Sequence, residues 1–163
     1  MIEKEIIYVH TGEIKACNNG VILKSSPLGS CIVIAAYDTG KQVGAMAHFM
    51  LPGKAPERKN YLKTRYVIDA LQELIDKMNV LGTKEKNIEV CLVGGANIMK
   101  RDNDTIAKDN IASVNELLRE RNIKIKAESV GGTERRSVSL DVETGCVNYT
   151  VGDGAEKILY QFA

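Results

Sequence analysis

The sequence is poor in the residues from which metal sites and disulfide frameworks are built. It holds two histidines and four cysteines among 163 residues. The cysteines are Cys17, Cys31, Cys91 and Cys146. None of them forms a CxxC pair, which argues against a structural zinc site, and in a reducing compartment they would remain free thiols. Because the histidines are only His10 and His48, any chemistry that pairs a cysteine with a histidine must use one of these two.

Charge excess and long apolar runs are also missing. The net charge of +1 gives no general attraction to nucleic acid or to a membrane surface. No apolar run approaches the ~20 residues that a membrane span needs, and the N-terminal stretch MIEKEIIYVH carries charges where a signal peptide has its apolar core. We therefore expect a cytoplasmic protein with no nucleic-acid binding and no membrane insertion. A length of 163 residues and a hydrophobic fraction of 44% suit one domain, residues 1–163.

Hydrophobic periodicity predicts the order of the elements. Strands are predicted at residues 5–10, 21–24, 31–37, 43–50, 88–95, 123–132, 135–142 and 146–151. Apolar residues at helical spacing predict helices over residues 61–79 and about 109–121. The segment after His10 is expected to be an exposed loop, and residues 155–163 a strand or a short helix. The fold class is therefore α/β (α+β-like), a three-layer sandwich with largely antiparallel sheets and two helices packed on one side.

The stretch SSPLGSC, residues 25–31, is the strongest candidate for a site. Gly29 permits a sharp turn, and Pro27 fixes the backbone before it. Such a turn can direct the backbone amides of Ser30 and Cys31 toward one point beside the sulfur, where they would stabilise an oxyanion. The stretch therefore predicts Cys31 as a nucleophile, with Gly29 and Ser30 in the oxyanion loop.

A predicted hairpin brings a base to this cysteine. The turn DTGKQ, residues 38–42, joins two strands, and Cys31 and His48 stand 48 − 31 = 17 residues apart. A tight hairpin then places them side by side, where the imidazole can take the thiol proton. Ser25 or Ser26 could orient the ring by accepting a hydrogen bond from its second nitrogen, or both serines could simply satisfy turn amides. From spacing alone, core packing is the simpler interpretation of Cys31.

Several longer segments, in this order, resemble the CheD family of chemoreceptor glutamine deamidases. They are SPLGSC with its following apolar strand, VGAMAHFMLP (43–52), LVGGANIM (92–99), IAKDNI (106–111) and ESVGGTERRSVSLDVETG (128–145). The resemblance runs over nearly the whole chain and implies a single CheD-like domain. The pairing of GSC with GAMAHFMLP at this spacing is its most specific part.

The resemblance implies a cysteine hydrolase that converts receptor glutamines to glutamates, without metal or organic cofactor. The cysteine after GS is the family's nucleophile, here Cys31, and the histidine of AHxMLP is its base, here His48. The family's third residue is a threonine six positions before the cysteine, where this chain has Ser25, with Ser26 as the fallback. Pro27 also stands where the family commonly has glycine.

The resemblance further implies two protein partners. One is the cytoplasmic coiled coil of a chemoreceptor, and the other is a CheC-type phosphatase that acts on phosphorylated CheY. The same acyl chemistry would allow hydrolysis of a glutamate methyl ester. Two alternatives remain open: a non-enzymatic regulatory module that binds the phosphatase, and a cysteine amidase or esterase with an unrelated small substrate.

Overall fold

The computed structural model describes residues 3–57 and 62–163, and within them it has ten β-strands and two α-helices. The strands are β1 (Glu5–Val9), β2 (Ile14–Cys17), β3 (Val21–Ser25), β4 (Ile32–Asp38), β5 (Val43–Phe49), β6 (Glu89–Gly94), β7 (Lys124–Val130), β8 (Arg136–Asp141), β9 (Cys146–Val151) and β10 (Lys157–Gln161). The helices are α1 (Val67–Val80) and α2 (Ile106–Glu120). Short 3₁₀ turns occupy Lys63–Arg65 and Glu85–Asn87.

The strands form two five-stranded sheets. The first, sheet A, has the order β1-β3-β8-β9-β10, and the second, sheet B, has the order β2-β5-β4-β6-β7. Most neighbours are antiparallel, whereas β1 with β3 and β6 with β7 run parallel. The predicted hairpin is confirmed, because β4 and β5 pair antiparallel from Ile32 with Phe49 to Asp38 with Val43.

Two apolar clusters divide the molecule into three layers. Successive side chains of a strand point to opposite faces, so the fully buried strands β4 and β5 contribute to both clusters. Ile32, Ile34 and Phe49 belong to the cluster that α1 and α2 cover. Val33, Ala35 and Met46 belong to the cluster between sheets A and B. The predicted three-layer α/β sandwich with both helices on one side is thereby confirmed.

Each helix buries one face at the expected spacing. In α1 the buried residues recur every three or four positions; they are Val67, Ala70, Leu71, Leu74, Ile75 and Met78. This helix begins later than the predicted residue 61, because Tyr66 has an extended backbone with φ −100° and ψ 139°. Part of the predicted helix, residue 61, lies outside the described residues. Neither helix in the described part of the chain is long and apolar enough to cross a membrane.

One strand differs from the prediction, and another decides between two predicted alternatives. The segment after His10, expected to be a loop, contains β2, which pairs antiparallel with β5 through Ile14 with Ala47 and Cys17 with Gly44. The C-terminal segment forms β10, which pairs with β9 across a bulge. Both are edge strands whose partners, rather than their own composition, stabilise them.

Candidate active site

Cys31 lies at the entrance to β4, at the open end of the space between the two sheets. It directly precedes Ile32, the first residue of the strand, and is half-buried against the cluster between the sheets. Because side chains alternate along a strand, Cys31 shares the face of Val33. The thiol therefore points toward sheet A and away from the helices.

Three backbone carbonyls fix the loop that leads to this thiol. The N–H of Ala96 donates to the Gly29 carbonyl at 2.9 Å, and the N–H of Gly95 donates to the Cys31 carbonyl at 2.8 Å. Between them, the Ser30 carbonyl accepts a hydrogen bond from the side-chain amide of Asn110 at 2.9 Å. The segment GGAN, considered as a possible nest for a polar group, thus uses two of its amides to hold the loop. Neither the Ser30 N–H nor the Cys31 N–H donates to a backbone carbonyl within the described ranges, and the Cys31 N–H faces the sulfur of its own side chain.

Gly29 serves this loop through its small size. It does not adopt a positive φ, unlike nine other glycines of the described chain. A Cβ added at Gly29 would lie 3.1 Å from Cδ1 of Ile98. The sharp turn expected from this glycine is therefore a close approach of two loops.

His48 is hydrogen-bonded to the end of β1 and to the segment that connects β1 to β2. Its backbone carbonyl accepts from the N–H of Gly12 at 2.7 Å, and its own N–H donates to the Glu13 carbonyl at 3.2 Å. His48 is 1% exposed, and its Nδ1 lies 3.1 Å from the Val9 carbonyl oxygen. A carbonyl can only accept, so Nδ1 carries the proton and Nε2 is left as an acceptor.

The strand register places Cys31 and His48 on one face. Val33 pairs with His48, so Cys31, two residues earlier, is a diagonal neighbour of His48 across β4 and β5. Diagonal neighbours are within reach of each other's longer side chains. The hydroxyl of Thr11 lies beside both groups: its Oγ1 is 3.4 Å from Nε2 of His48, and it is a hydrogen-bond partner of the Cys31 thiol.

Burial keeps both partners uncharged at rest. It raises the pKa of the Cys31 thiol, although the hydrogen bond from Thr11 and the backbone amide of Cys31 act in the opposite direction. Burial also lowers the pKa of His48, which the nearby His10 lowers further, while the bond to Val9 and the charge of Glu13 oppose the shift. The site can therefore transfer a proton from a neutral thiol to a neutral imidazole at the moment of attack.

Ser25 lies at the end of β3 and is 3% exposed. Its hydroxyl oxygen accepts a hydrogen bond from the N–H of Val138 at 3.2 Å. In the parallel pairing of β1 with β3, Ser25 is opposite Val9, the residue whose carbonyl accepts from His48. Ser25 is therefore separated from the His48 ring by Val9. Among the described residues, the hydrogen-bond partners of the two ring nitrogens are the Val9 carbonyl and the Thr11 hydroxyl, rather than Ser25.

The other cysteines lie elsewhere. All four are free thiols, and Cys91 is buried in β6, where burial raises its pKa to about 12. Cys17 lies at the end of β2 and Cys146 at the start of β9. No group of three or more His, Cys, Asp or Glu side chains in the described residues is arranged to hold a metal ion.

A surface cavity of about 290 Å³ adjoins the Cys31 loop. Gly29 and Ser30 form one wall, and Ile98 and Met99 form another. Met99 is 66% exposed and Ile98 is 43% exposed, so this side of the cavity is open and apolar. A larger cavity of about 370 Å³ lies beside Asp38, at the far end of β4.

Two residues of the site were missed from the sequence. Thr11 lies in the segment expected to be a loop, and no local pattern marks its contact with His48. Asn110 lies within IAKDNI and falls on the buried face of α2, at the spacing of Ala107, Val114 and Leu118. A single polar residue at core spacing on an amphipathic helix was the signal that could have identified it.

Comparison with known proteins finds a matching family model and several similar proteins. The family model described as CheD chemotactic sensory transduction matches residues 50–150. A probable chemoreceptor glutamine deamidase CheD of Chlorobium luteolum is 41% identical over 156 residues, covering 96% of this chain and 78% of that protein. The chemoreceptor glutamine deamidases CheD of Thermotoga maritima and Halalkalibacterium halodurans are each 31% identical, covering 90% and 94% of this chain and 92% and 99% of those proteins. The similarity therefore extends beyond the family-model match to the segments that carry Cys31 and His48.

Proposed function

The chain belongs to the CheD family, and from that premise we propose that it deamidates glutamine side chains on the cytoplasmic domains of chemoreceptors, with Cys31 as the nucleophile and His48 as the base. The observation that carries this proposal is the shared face of the two residues across β4 and β5, with Nδ1 of His48 donating to Val9 and Nε2 left to accept. The names of the relatives supply the substrate class.

The first half of the reaction forms a thioester. The Cys31 sulfur attacks the carbon of the glutamine side-chain amide while the thiol proton passes to Nε2 of His48. The amide oxygen takes up the electron pair and becomes an oxyanion beside the N–H groups of Ser30 and Cys31, neither of which donates to a backbone carbonyl within the described chain. His48 then gives its proton to the nitrogen, and ammonia leaves.

The second half hydrolyses this intermediate. His48, neutral again, takes a proton from a water molecule, whose oxygen attacks the thioester carbon. The bond to sulfur breaks, the thiolate regains a proton from the imidazolium, and glutamate is released. An ester of glutamate would follow the same path with methanol as the leaving group, so methylesterase activity is part of the proposal.

Two hydroxyls are candidates to support the base. Ser25 takes the place of the family's threonine and stands behind Val9, which accepts from the ring. Thr11 adjoins Nε2 and the thiol directly. We assign Ser25 as the third residue of the site, which acts on His48 through Val9, its neighbour in the pairing of β1 with β3. Thr11 is assigned as a hydroxyl that stabilises the nascent thiolate.

The apolar rim beside the loop suits a helical protein substrate. Ile98 and Met99 are exposed next to Gly29 and Ser30, and the adjoining cavity is open rather than enclosed. A receptor coiled coil can lie on such a rim and present one glutamine, whereas an unrelated small substrate would be better held by a closed apolar pocket. A CheC-type phosphatase that docks on the same rim would compete with the receptor and regulate the enzyme.

The test is incubation with a purified receptor cytoplasmic fragment, followed by peptide mass spectrometry of its glutamines. The wild-type protein should convert specific glutamines to glutamates, and Cys31→Ala should abolish the conversion. Receptor binding without conversion, on several fragments, would instead support a non-enzymatic regulatory module. Adding a CheC-type phosphatase should slow the conversion if the two partners share the rim.

A further inference from the structure

The buried amide of Asn110 connects the two segments that carry Cys31 and His48. The side chain projects from α2 into the core and is 0% exposed. Its Nδ2 donates to the Ser30 carbonyl at 2.9 Å and to the Met50 carbonyl at 3.0 Å. Ser30 immediately precedes Cys31, and Met50 follows His48 by two residues. One side chain therefore links the entrance of β4 to the exit of β5.

The orientation of this amide follows from its partners. Both are carbonyl oxygens, which only accept, so the two N–H bonds of Nδ2 must face them. The opposite atom, Oδ1, is buried and has no hydrogen-bond partner among the described residues. An unpaired buried acceptor destabilises a fold. The contribution of Asn110 at this position is therefore its two donated bonds.

The bond to Ser30 also sets the direction of the Cys31 amide. The Ser30 carbonyl and the Cys31 N–H belong to one planar trans peptide group, in which they point in opposite directions. Holding the carbonyl toward α2 turns the N–H away from α2. The neighbouring peptide is fixed in the same way, since the Gly29 carbonyl accepts from Ala96 and so sets the Ser30 N–H.

We propose that Asn110 is a positioning residue for the deamidation: through the Ser30 carbonyl it orients the Cys31 N–H as an oxyanion donor. The inference rests on the proposed function and adds to it a residue outside the Cys31–His48 pair. Ala96 and Gly95 supply backbone donors that substitution leaves in place, whereas the bonds of Asn110 come from a side chain and can be removed.

The test compares Asn110→Leu with Asn115→Leu as a control. Asn115 lies on the same helix, and its side-chain amide donates to the carbonyl of Ile111 within that helix at 2.8 Å. Each variant is assayed for kcat and KM on the receptor fragment, for the rate of Cys31 alkylation by iodoacetamide and for its melting temperature. Alkylation requires the thiolate but no oxyanion donor, so it separates loss of orientation from general damage to the site.

For Asn110→Leu we expect kcat to fall by about 10²-fold, the scale of removing one oxyanion donor, with KM and the alkylation rate within about threefold of wild type. Asn115→Leu should stay within about twofold of wild type in kcat, in KM and in the alkylation rate. Should Asn110→Leu not fold, Asn110→Ser, which keeps one donor, takes its place and should show a smaller loss of kcat with the same unchanged alkylation.

A folded Asn110 variant with kcat near the wild-type value would overturn the inference. So would a parallel loss of kcat and alkylation, or failure of both Asn110 variants to fold beside a folded control, because either result describes a purely structural residue. An inactive wild-type protein would remove the deamidase proposal itself, whereas an active wild type with equally active Asn110 variants removes only this inference.

Discussion

Replacing Gly94 with alanine should disturb the nucleophile directly. Gly94 ends β6 and has φ +122°, a conformation that L residues rarely adopt. A Cβ added there would overlap the carbonyl oxygen of Cys31 and lie 3.1 Å from Cα of Ile32. Both neighbours are backbone atoms, which cannot move aside as a flexible side chain would. The collision must therefore displace the start of β4, where the thiol lies.

Gly82→Ala provides the matched control. Gly82 has φ +101°, and nothing lies within 4 Å of a Cβ added there, so this variant reports the backbone strain alone. Strain of this kind costs about 1–2 kcal/mol, and we expect the collision at Gly94 to raise the cost to about 3–4 kcal/mol. For a domain of this size the melting temperature should fall by roughly 2–8 °C in the control and roughly 6–16 °C in Gly94→Ala.

Activity gives the second readout of the same change. A displacement of the nucleophile by ~1 Å can cost about 10²-fold in rate, so kcat/KM of Gly94→Ala on the receptor fragment should fall by that order, at a temperature where the variant is folded. Gly82→Ala should keep wild-type activity. Equal losses of melting temperature in the two variants, together with full activity of Gly94→Ala, would refute the contact between Gly94 and Cys31 as a determinant of the site.

Three further predictions concern protonation and the hydroxyl beside the site. Thr11→Val should raise the pKa of Cys31 further and lower kcat/KM by roughly tenfold, whereas Thr11→Ser, which keeps the hydroxyl, should stay near wild type. Equal activity of Thr11→Val and wild type would exclude a role for the hydroxyl. Alkylation of Cys31, followed by site-resolved mass spectrometry, should rise with pH to a midpoint above the ordinary thiol value of 9.0, with Cys91 unreactive; a midpoint well below 9.0 would contradict the neutral resting pair. Because the folded pKa of His48 lies below its ordinary 6.5, the unfolded chain binds that proton first, and the stability of the fold should decline as the pH falls below about 6.5. The urea midpoint of His48→Gln should decline less steeply with falling pH than that of wild type, and equal declines would contradict the lowered pKa of His48.

The hairpin that carries the site could be predicted because its evidence is local. Residues 31–37 and 43–50 are apolar runs separated by a turn, and their pairing is settled by that turn. The strand β2 could not be predicted in this way. Its four residues stand between Gly12 and the Asn–Asn–Gly turn that follows Cys17, so composition indicates a loop, and only its pairing with β5 makes it a strand.

Contacts between distant segments explain the rest of what was missed. Thr11 reaches His48 because the chain crosses from sheet A to sheet B between β1 and β2, a path that no short pattern encodes. Asn110 was missed because α2 was predicted to start near Asp109, which leaves Ala107, its neighbour on the buried face, outside the helix and puts Asn110 in the first turn. The Asp104 carboxylate accepts from the N–H of Ile106 at 3.0 Å, which begins the helix earlier and brings Asn110 within its buried face.

The measurement that tests the account most directly is detection of the thioester on Cys31. Wild-type protein and receptor fragment are mixed, quenched in acid during the first turnover and analysed by mass spectrometry of the Cys31 peptide. We expect a receptor peptide joined to Cys31 with loss of ammonia, released by hydroxylamine and lacking in Cys31→Ala, which should also form no glutamate. Glutamate formation that persists in Cys31→Ala, with no adduct on Cys31 of the wild type, would contradict it.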